Sequence, residues 1–142
     1  MTDSPTSFWV EVLAENDWPR LQNIRLTALD DNPHAFLSTF KTEAAFDEGR
    51  WRREFVRGEW HVMCAGDQDA GDQEDVGLLG VTRLPDMSSR ECYLEYLWVA
   101  PRVRRRGVAS MLLRRALDRL RDSGVRTVWL WILDGNERDM RL

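Results

Sequence analysis

Lysine is nearly missing from this chain: Lys41 is the only one in 142 residues, and arginine supplies almost all the positive charge. That imbalance carries no functional reading, but other shortages exclude whole classes of protein. The two histidines, His34 and His61, lack metal-ligand spacing, which argues against a zinc site. The two cysteines, Cys64 and Cys92, form no CxxC and adjoin no histidine cluster, so they read as buried free thiols in a reducing compartment. No apolar run approaches the ~20 residues of a membrane span. The opening "MTDSPTSFWV" has neither a basic start nor a long apolar stretch, so it does not read as a secretory leader. An excess of positive charge is missing too: the net charge is −4, whereas dedicated nucleic-acid binders are usually basic. The expectation is a cytoplasmic protein without a metal, a membrane partner or a nucleic-acid partner.

What is present suits one globular domain: 43% apolar residues, 31% charged residues and seven tryptophans. "SFWVEVL" alternates as a strand does. Asp17 and Pro19 mark a helix start, and Leu21, Ile24, Ala28 and Leu29 follow at helical spacing. "DDNPHAF" breaks that helix, and residues 42–56 read as a second, interrupted helical region. "EWHVMCAG" and "VGLLGVTRL" are strands around the acidic run "GDQDAGDQED". That run lacks the calcium-loop spacing and reads as a solvated hairpin loop. "ECYLEYLWVA" is a fourth strand, apolar on both faces near its end, as a central strand should be.

A helix follows from near Gly107. Its apolar face comprises Val108, Met111, Leu112, Leu113, Ala116, Leu117 and Leu120, and Arg114 is spaced to pair with Asp118. Gly124 stops it, "RTVWLWIL" is a fifth strand, and "DGNERDMRL" opens like another capped helix. The fold class is therefore α/β with a mixed sheet: an antiparallel meander, then a parallel, right-handed β-α-β unit.

The stretch "RVRRRGVAS" joins the fourth strand to that helix. Unpaired N–H groups at a helix start, with about half a positive charge, form an anion site. Gly107 permits close approach of a ligand, Ala109 is nearly as small, and Arg104, Arg105 and Arg106 can bind phosphate. A compact polyphosphate is the expected ligand. Neither a P-loop nor a dinucleotide-binding glycine pattern is present. What stands here is R-x-x-G-x-A, at Arg104, Gly107 and Ala109.

In this context, "LWVAPRVRRRGVASMLL", "VWLWILDGN" and "LTALDDNPHAFLSTF" resemble segments of the GNAT superfamily of N-acetyltransferases. The resemblance implies an acyl-CoA N-acyltransferase-like fold over the whole of 1–142 and acetyl-CoA as co-substrate. It implies that the backbone of Leu97, Trp98 and Val99, splayed by a bulge, faces the pantetheine arm and polarises the thioester carbonyl. The N–H groups of Arg105, Arg106, Gly107, Val108, Ala109 and Ser110 would hold the pyrophosphate, and Asn136 would touch the cofactor side of the site. The reaction would be direct attack by a primary amine of a small molecule or protein. Glu95, or less directly Glu91, would take its proton. Both should face one way along the strand, and a cleft near Glu91, Glu95 and Arg83 is the expected acceptor site. Trp129 and Trp131 read as core.

The family ordinarily continues past a position like Asn136 with a tyrosine-bearing helix and two strands. The domain is therefore expected to be incomplete at its C-terminus, with an open fifth-strand edge that invites pairing, possible homodimerisation included. The alternative reading is a non-catalytic acyl-CoA-binding or interaction module.

Overall fold

Alternating apolar residues and well-placed turns build a single six-stranded sheet. The computed structural model describes residues 7–131 and 137–141, with side chains for 7–130. Strand β1 (Ser7–Val12) leads through a 3-10 turn into α1 (Trp18–Asp31), α2 (Phe40–Ala44) and α3 (Glu48–Arg57). Then come β2 (Gly58–Asp67), β3 (Asp72–Thr82), β4 (Glu91–Val99), α4 (Val108–Asp122), β5 (Thr127–Trp131) and β6 (Glu137–Arg141). The strands lie in sequence order. Every neighbouring pair is antiparallel except β4 and β5, which are parallel around the α4 crossover.

Helices cover both faces. A Cβ on Gly77 of β3 would point towards Leu112 of α4, while one on Gly80 would strike the Trp60 ring. The Trp60 indole donates to the Glu54 carbonyl of α3, so α1–α3 lie opposite α4. Trp51, Trp60, Leu21, Leu29, Met63, Leu78, Leu79, Leu94 and Leu112 are fully buried in between. Each such side chain contributes roughly 1.5–3 kcal/mol of apolar burial. Among the described residues, no helix is long and apolar enough to cross a membrane.

The structure corrects several expectations. Within "DGNERDMRL", where a capped helix is expected, residues 137–141 form β6, antiparallel to β5 from Thr127↔Arg141 to Trp131↔Glu137. The β5 edge is therefore paired, because sheet hydrogen bonding outweighs the local capping signal. The acidic run is mostly strand, paired as far as Asp67↔Asp72, and only residues 68–71 turn. Asp17 accepts from the Ala14 N–H at 2.9 Å instead of capping α1. On α4 the buried stripe is narrower, at Val108, Leu112, Ala116 and Leu120, with Met111 exposed. Asp118 pairs with Arg121 at 3.1 Å, not with Arg114.

Candidate active site at the β4 bulge

Strand β4 starts regularly and ends irregularly. Glu95 pairs with Gly80, but Trp98 pairs with Leu78, so β4 carries one extra residue at Tyr96–Leu97. Tyr96 takes φ +58°, a left-handed conformation that costs a side-chain-bearing residue roughly 1–2 kcal/mol. Pairing with β5 runs only from Glu91 to Leu94. Beyond it the β4 backbone has no β5 partner among the described residues, which on β5 end at Trp131. The expected bulge is thus present. Leu97 is 42% exposed there, whereas the side chains of Trp98 and Val99 are buried and only their backbone can face a ligand.

The loop after β4 presents donors. Pro101–Val103 form a 3-10 turn, Arg105 and Gly107 have φ +66° and +76°, and α4 starts at Val108 without a side-chain cap. Left-handed residues in a short loop gather successive N–H groups into an anion-binding concavity. No backbone hydrogen bond occupies the N–H groups of residues 105–110 among the described residues; Met111, donating to the Gly107 carbonyl at 3.0 Å, is the first engaged. A Cβ on Gly107 would meet no protein atom within 4 Å. Glycine is demanded by φ, and the space beside it is open to a ligand. Val108 is buried and can offer only its backbone, while Ala109 and Ser110 are exposed.

Arg104 differs from its neighbours. Its Nε donates to the Val99 carbonyl at 2.9 Å and its Nη2 to Asp31 at 2.7 Å. It braces the loop, whereas the Arg105 and Arg106 guanidinium groups have no ion-pair partner among the described residues. Asp31 also accepts from the Trp98 indole at 3.0 Å. That hydrogen bond, with Arg104 and against partial burial, holds the Asp31 carboxyl below the usual carboxylate range.

Glu91 and Glu95 precede the bulge, so their common parity holds. Glu91 accepts from the Trp129 indole at 2.9 Å, which makes Trp129 more than core. Glu95 accepts from Arg57 at 2.5 Å. Burial opposes the Arg57 charge, but the Glu95 hydrogen bond together with the charges of Glu95 and Glu54 outweighs it and raises the Arg57 pKa. Arg83 does not join these carboxylates. It lines a cleft of about 1680 Å³ with Val12, Val56 and Arg115, at the far end of α4 from the loop donors. That cleft is lined neither by the bulge nor by the loop. Asn136 and the side chain of Trp131 lie outside the described residues.

Under the bulge lies a charge network that the sequence reading missed. Arg25 is 2% exposed, and Glu43 and Glu54 are 1% exposed. Arg25 contacts Glu43 Oε1 through Nε at 2.9 Å and Nη2 at 2.8 Å, and Glu54 through Nη1 at 2.7 Å. Its guanidinium sits 4.3 Å from the Tyr96 ring centre and 5.0 Å from those of Trp51 and Trp60. The Tyr96 hydroxyl accepts from Arg25 at 3.1 Å and donates to Glu43 Oε2 at 2.5 Å. Burial, chiefly, pushes the Tyr96 phenol well above its ordinary pKa. Glu54 also pairs with Arg50 and Arg57; burial resists its charge, but Arg25 and the others still hold it low. One signal was available: Arg25 falls four residues from both Leu21 and Leu29, inside the apolar stripe of α1.

Comparisons with known proteins follow this geometry. Residues 18–142 match the model of the acetyltransferase (GNAT) family. An aminoglycoside acetyltransferase from an uncultured soil metagenomic sample is 21% identical with TM-score 0.66, over 88% of this chain and 79% of that one. Another, of like source and in complex with sisomicin, is 22% identical with TM-score 0.62, over 87% and 76%. The N-acetyltransferase YhbS of Escherichia coli, in complex with CoA, is 17% identical with TM-score 0.57, over 92% and 65%. At these identities the likeness is one of fold. No curated protein matches the sequence.

Proposed function

The chain belongs to the acetyltransferase (GNAT) family, and on that premise we propose that it transfers the acetyl group of acetyl-CoA to a primary amine. The observation that carries this reading is the adjacency of two backbone features. Strand β4 carries a bulge just beyond its described pairing with β5, and an uncapped helix start follows in the connection after it. The first suits a carbonyl that must be polarised, the second a pyrophosphate.

The residues present fit such a co-substrate. The N–H groups of 105–110 and the side chains of Arg105 and Arg106 would hold its phosphates, beside a glycine whose missing Cβ leaves the cradle open. When bound, acetyl-CoA would supply the activated acyl group; as the C–N bond forms the C–S bond breaks, and CoA leaves as a thiolate that takes its proton from water. The chain's own contribution is orientation and charge. The β4 backbone at Leu97–Val99 donates towards the acyl oxygen, where negative charge develops on attack. Glu95 takes the amine proton, directly or through one water, because it directly precedes the bulge. Glu91 lies four residues back, roughly 13 Å along the strand, and serves to bind the acceptor or to hold Trp129. Tyr96 does not act as an acid, since Arg25 and Glu43 commit its hydroxyl.

Two carboxylates on one face favour a cationic acceptor, and two structural neighbours are aminoglycoside acetyltransferases. A polycationic amine is therefore the class to try first. Calorimetry with CoA on the parent and on Gly107→Glu tests the cradle: binding by the parent and loss in the variant are expected. A thiol-release assay with acetyl-CoA, sisomicin and simple diamines tests transfer. Binding without turnover of any amine would favour the acyl-CoA-binding module.

A further inference from the structure

Helix α1 touches β4 on both sides of the bulge. Arg25 donates to the Tyr96 hydroxyl at 3.1 Å, and Asp31 accepts from the Trp98 indole at 3.0 Å. Arg25 and Asp31 are six residues apart, ~9 Å along a helix. Tyr96 and Trp98 are two residues apart, ~6.6 Å along a strand. One rigid rod therefore grips the strand at two points, and the residue between them, Leu97, is exposed at the bulge. The extra residue puts Glu95 and Tyr96 in succession on the helix face, Glu95 meeting Arg57 and Tyr96 meeting Arg25.

Asp31 has a second attachment. The same Oδ2 that accepts from Trp98 accepts from Arg104 of the phosphate-cradle loop, and Arg104 also bonds the Val99 carbonyl. One carboxylate oxygen thus ties the loop, the strand beyond the bulge and the end of α1 together. The Tyr96 end is anchored more deeply, because Glu43 and Glu54 surround Arg25 with almost no solvent.

We propose that Arg25 and Asp31 form a clamp on β4 that aims the backbone of Leu97 and holds it at a set distance from the phosphate cradle. They are positioning residues: neither touches the reacting atoms, and both act through Tyr96, Trp98 and Arg104. The assignment to acetyl transfer rests on the function proposed above. The mechanical part rests on the contacts alone. Loosening the clamp at Tyr96 or Trp98 leaves the Arg104 brace and the cradle donors in place, so cofactor binding survives while the acyl oxygen loses its aligned donor; loosening it at Asp31 frees the Arg104 brace as well.

Three variants separate this role from a general structural one: Tyr96→Phe removes only the hydroxyl, Asp31→Asn the ion pair with Arg104, and Trp98→Phe the indole donor together with part of a buried ring. Hydrogen exchange at the amides of 96–99 is measured without ligand, CoA affinity by calorimetry, and kcat by thiol release. The expected result is exchange at least tenfold faster at 96–99 and kcat at least tenfold lower in all three, with a CoA Kd within threefold of the parent in Tyr96→Phe and Trp98→Phe and a weaker one in Asp31→Asn, which also frees Arg104. Unchanged exchange would overturn the clamp. So would a kcat within twofold of the parent, or, in Tyr96→Phe and Trp98→Phe, a loss of CoA affinity that matches the loss of kcat. A parent that neither binds CoA nor acetylates an amine would overturn the functional reading instead, and the ligand-free exchange comparison would still decide the clamp.

Discussion

At the scale of single residues, the most consequential side chain is Arg25. Its charge is almost fully removed from water, and two equally buried carboxylates and three aromatic rings replace the lost hydration. Breaking such a pair from one side strands the remaining charges. Arg25→Gln should lower stability by about 3–5 kcal/mol, read as a shifted urea midpoint at an unchanged slope. Gly80 makes a second residue-scale prediction. A Cβ there would lie 2.4 Å from the Trp60 ring, which itself packs edge-on against Tyr96. Gly80→Ala should cost roughly 1–3 kcal/mol through overpacking. Gly107→Ala, where a Cβ meets nothing, should cost only the left-handed backbone strain, about 1–2 kcal/mol. Thermal unfolding of the two variants side by side checks the contrast.

At the scale of elements, α4 and α1 act at opposite sides of β4. Helix α4 presents its free N-terminal donors beside the strand end, and α1 fastens the strand and the loop. The Asp31 fastening has a definite pH sign. Its folded pKa is depressed, first by the Trp98 hydrogen bond and then by Arg104. Its stabilisation is therefore present above the unfolded value, near pH 4, and is lost as pH falls through the lower folded value. Parent and Asp31→Asn should differ in urea midpoint at pH 7 and converge in strong acid. A constant difference down to about pH 2 would contradict the assignment. Strand β6 protects the edge of β5. A chain cut after residue 131 should associate or aggregate where the full chain does not, read by light scattering.

At the scale of the whole molecule, several ionisable groups shift in the same sense. Glu11, Glu54 and Glu59 are held low by arginine partners despite burial. In Glu11 the Trp9 indole adds the larger hydrogen-bond contribution. Burial pushes the His61 imidazole down, and Glu59 offsets this only in part. All of these contribute stability above their unfolded pKa values and lose it on acidification, His61 below about pH 6.5 and the carboxylates below about pH 4.3. On the alkaline side, burial pushes Cys64 up to about 12 and Cys92 to about 11. Their contribution is full below the unfolded thiol value, near pH 8.5, and falls as pH rises towards the folded values. The urea midpoint should therefore be flat between about pH 7 and 8.5 and decline on either side, with His61→Gln removing the first acid step.

How far the chain could be read without coordinates follows from the range of the forces involved. Local and periodic signals determined the strand order of the meander and the amphipathic character of α4, because backbone preference and apolar spacing act within a turn or two. The R-x-x-G-x-A stretch marked the loop that leads into the uncapped start of α4 for the same reason. Four features needed the folded chain. The network of Arg25, Glu43, Glu54 and Tyr96 joins residues up to 71 positions apart, and no spacing rule connects them. Arg104 reads as a phosphate ligand in isolation and becomes a brace only when Asp31 arrives from α1. Arg83 stands near Glu91 in sequence but lines another cleft. Residues 137–141 resemble a helix start locally and become β6 because β5 offers an unpaired edge. Short-range chemistry was legible in the sequence, while buried charge pairing and edge pairing were decided by tertiary structure, since each depends on a partner that only folding brings close.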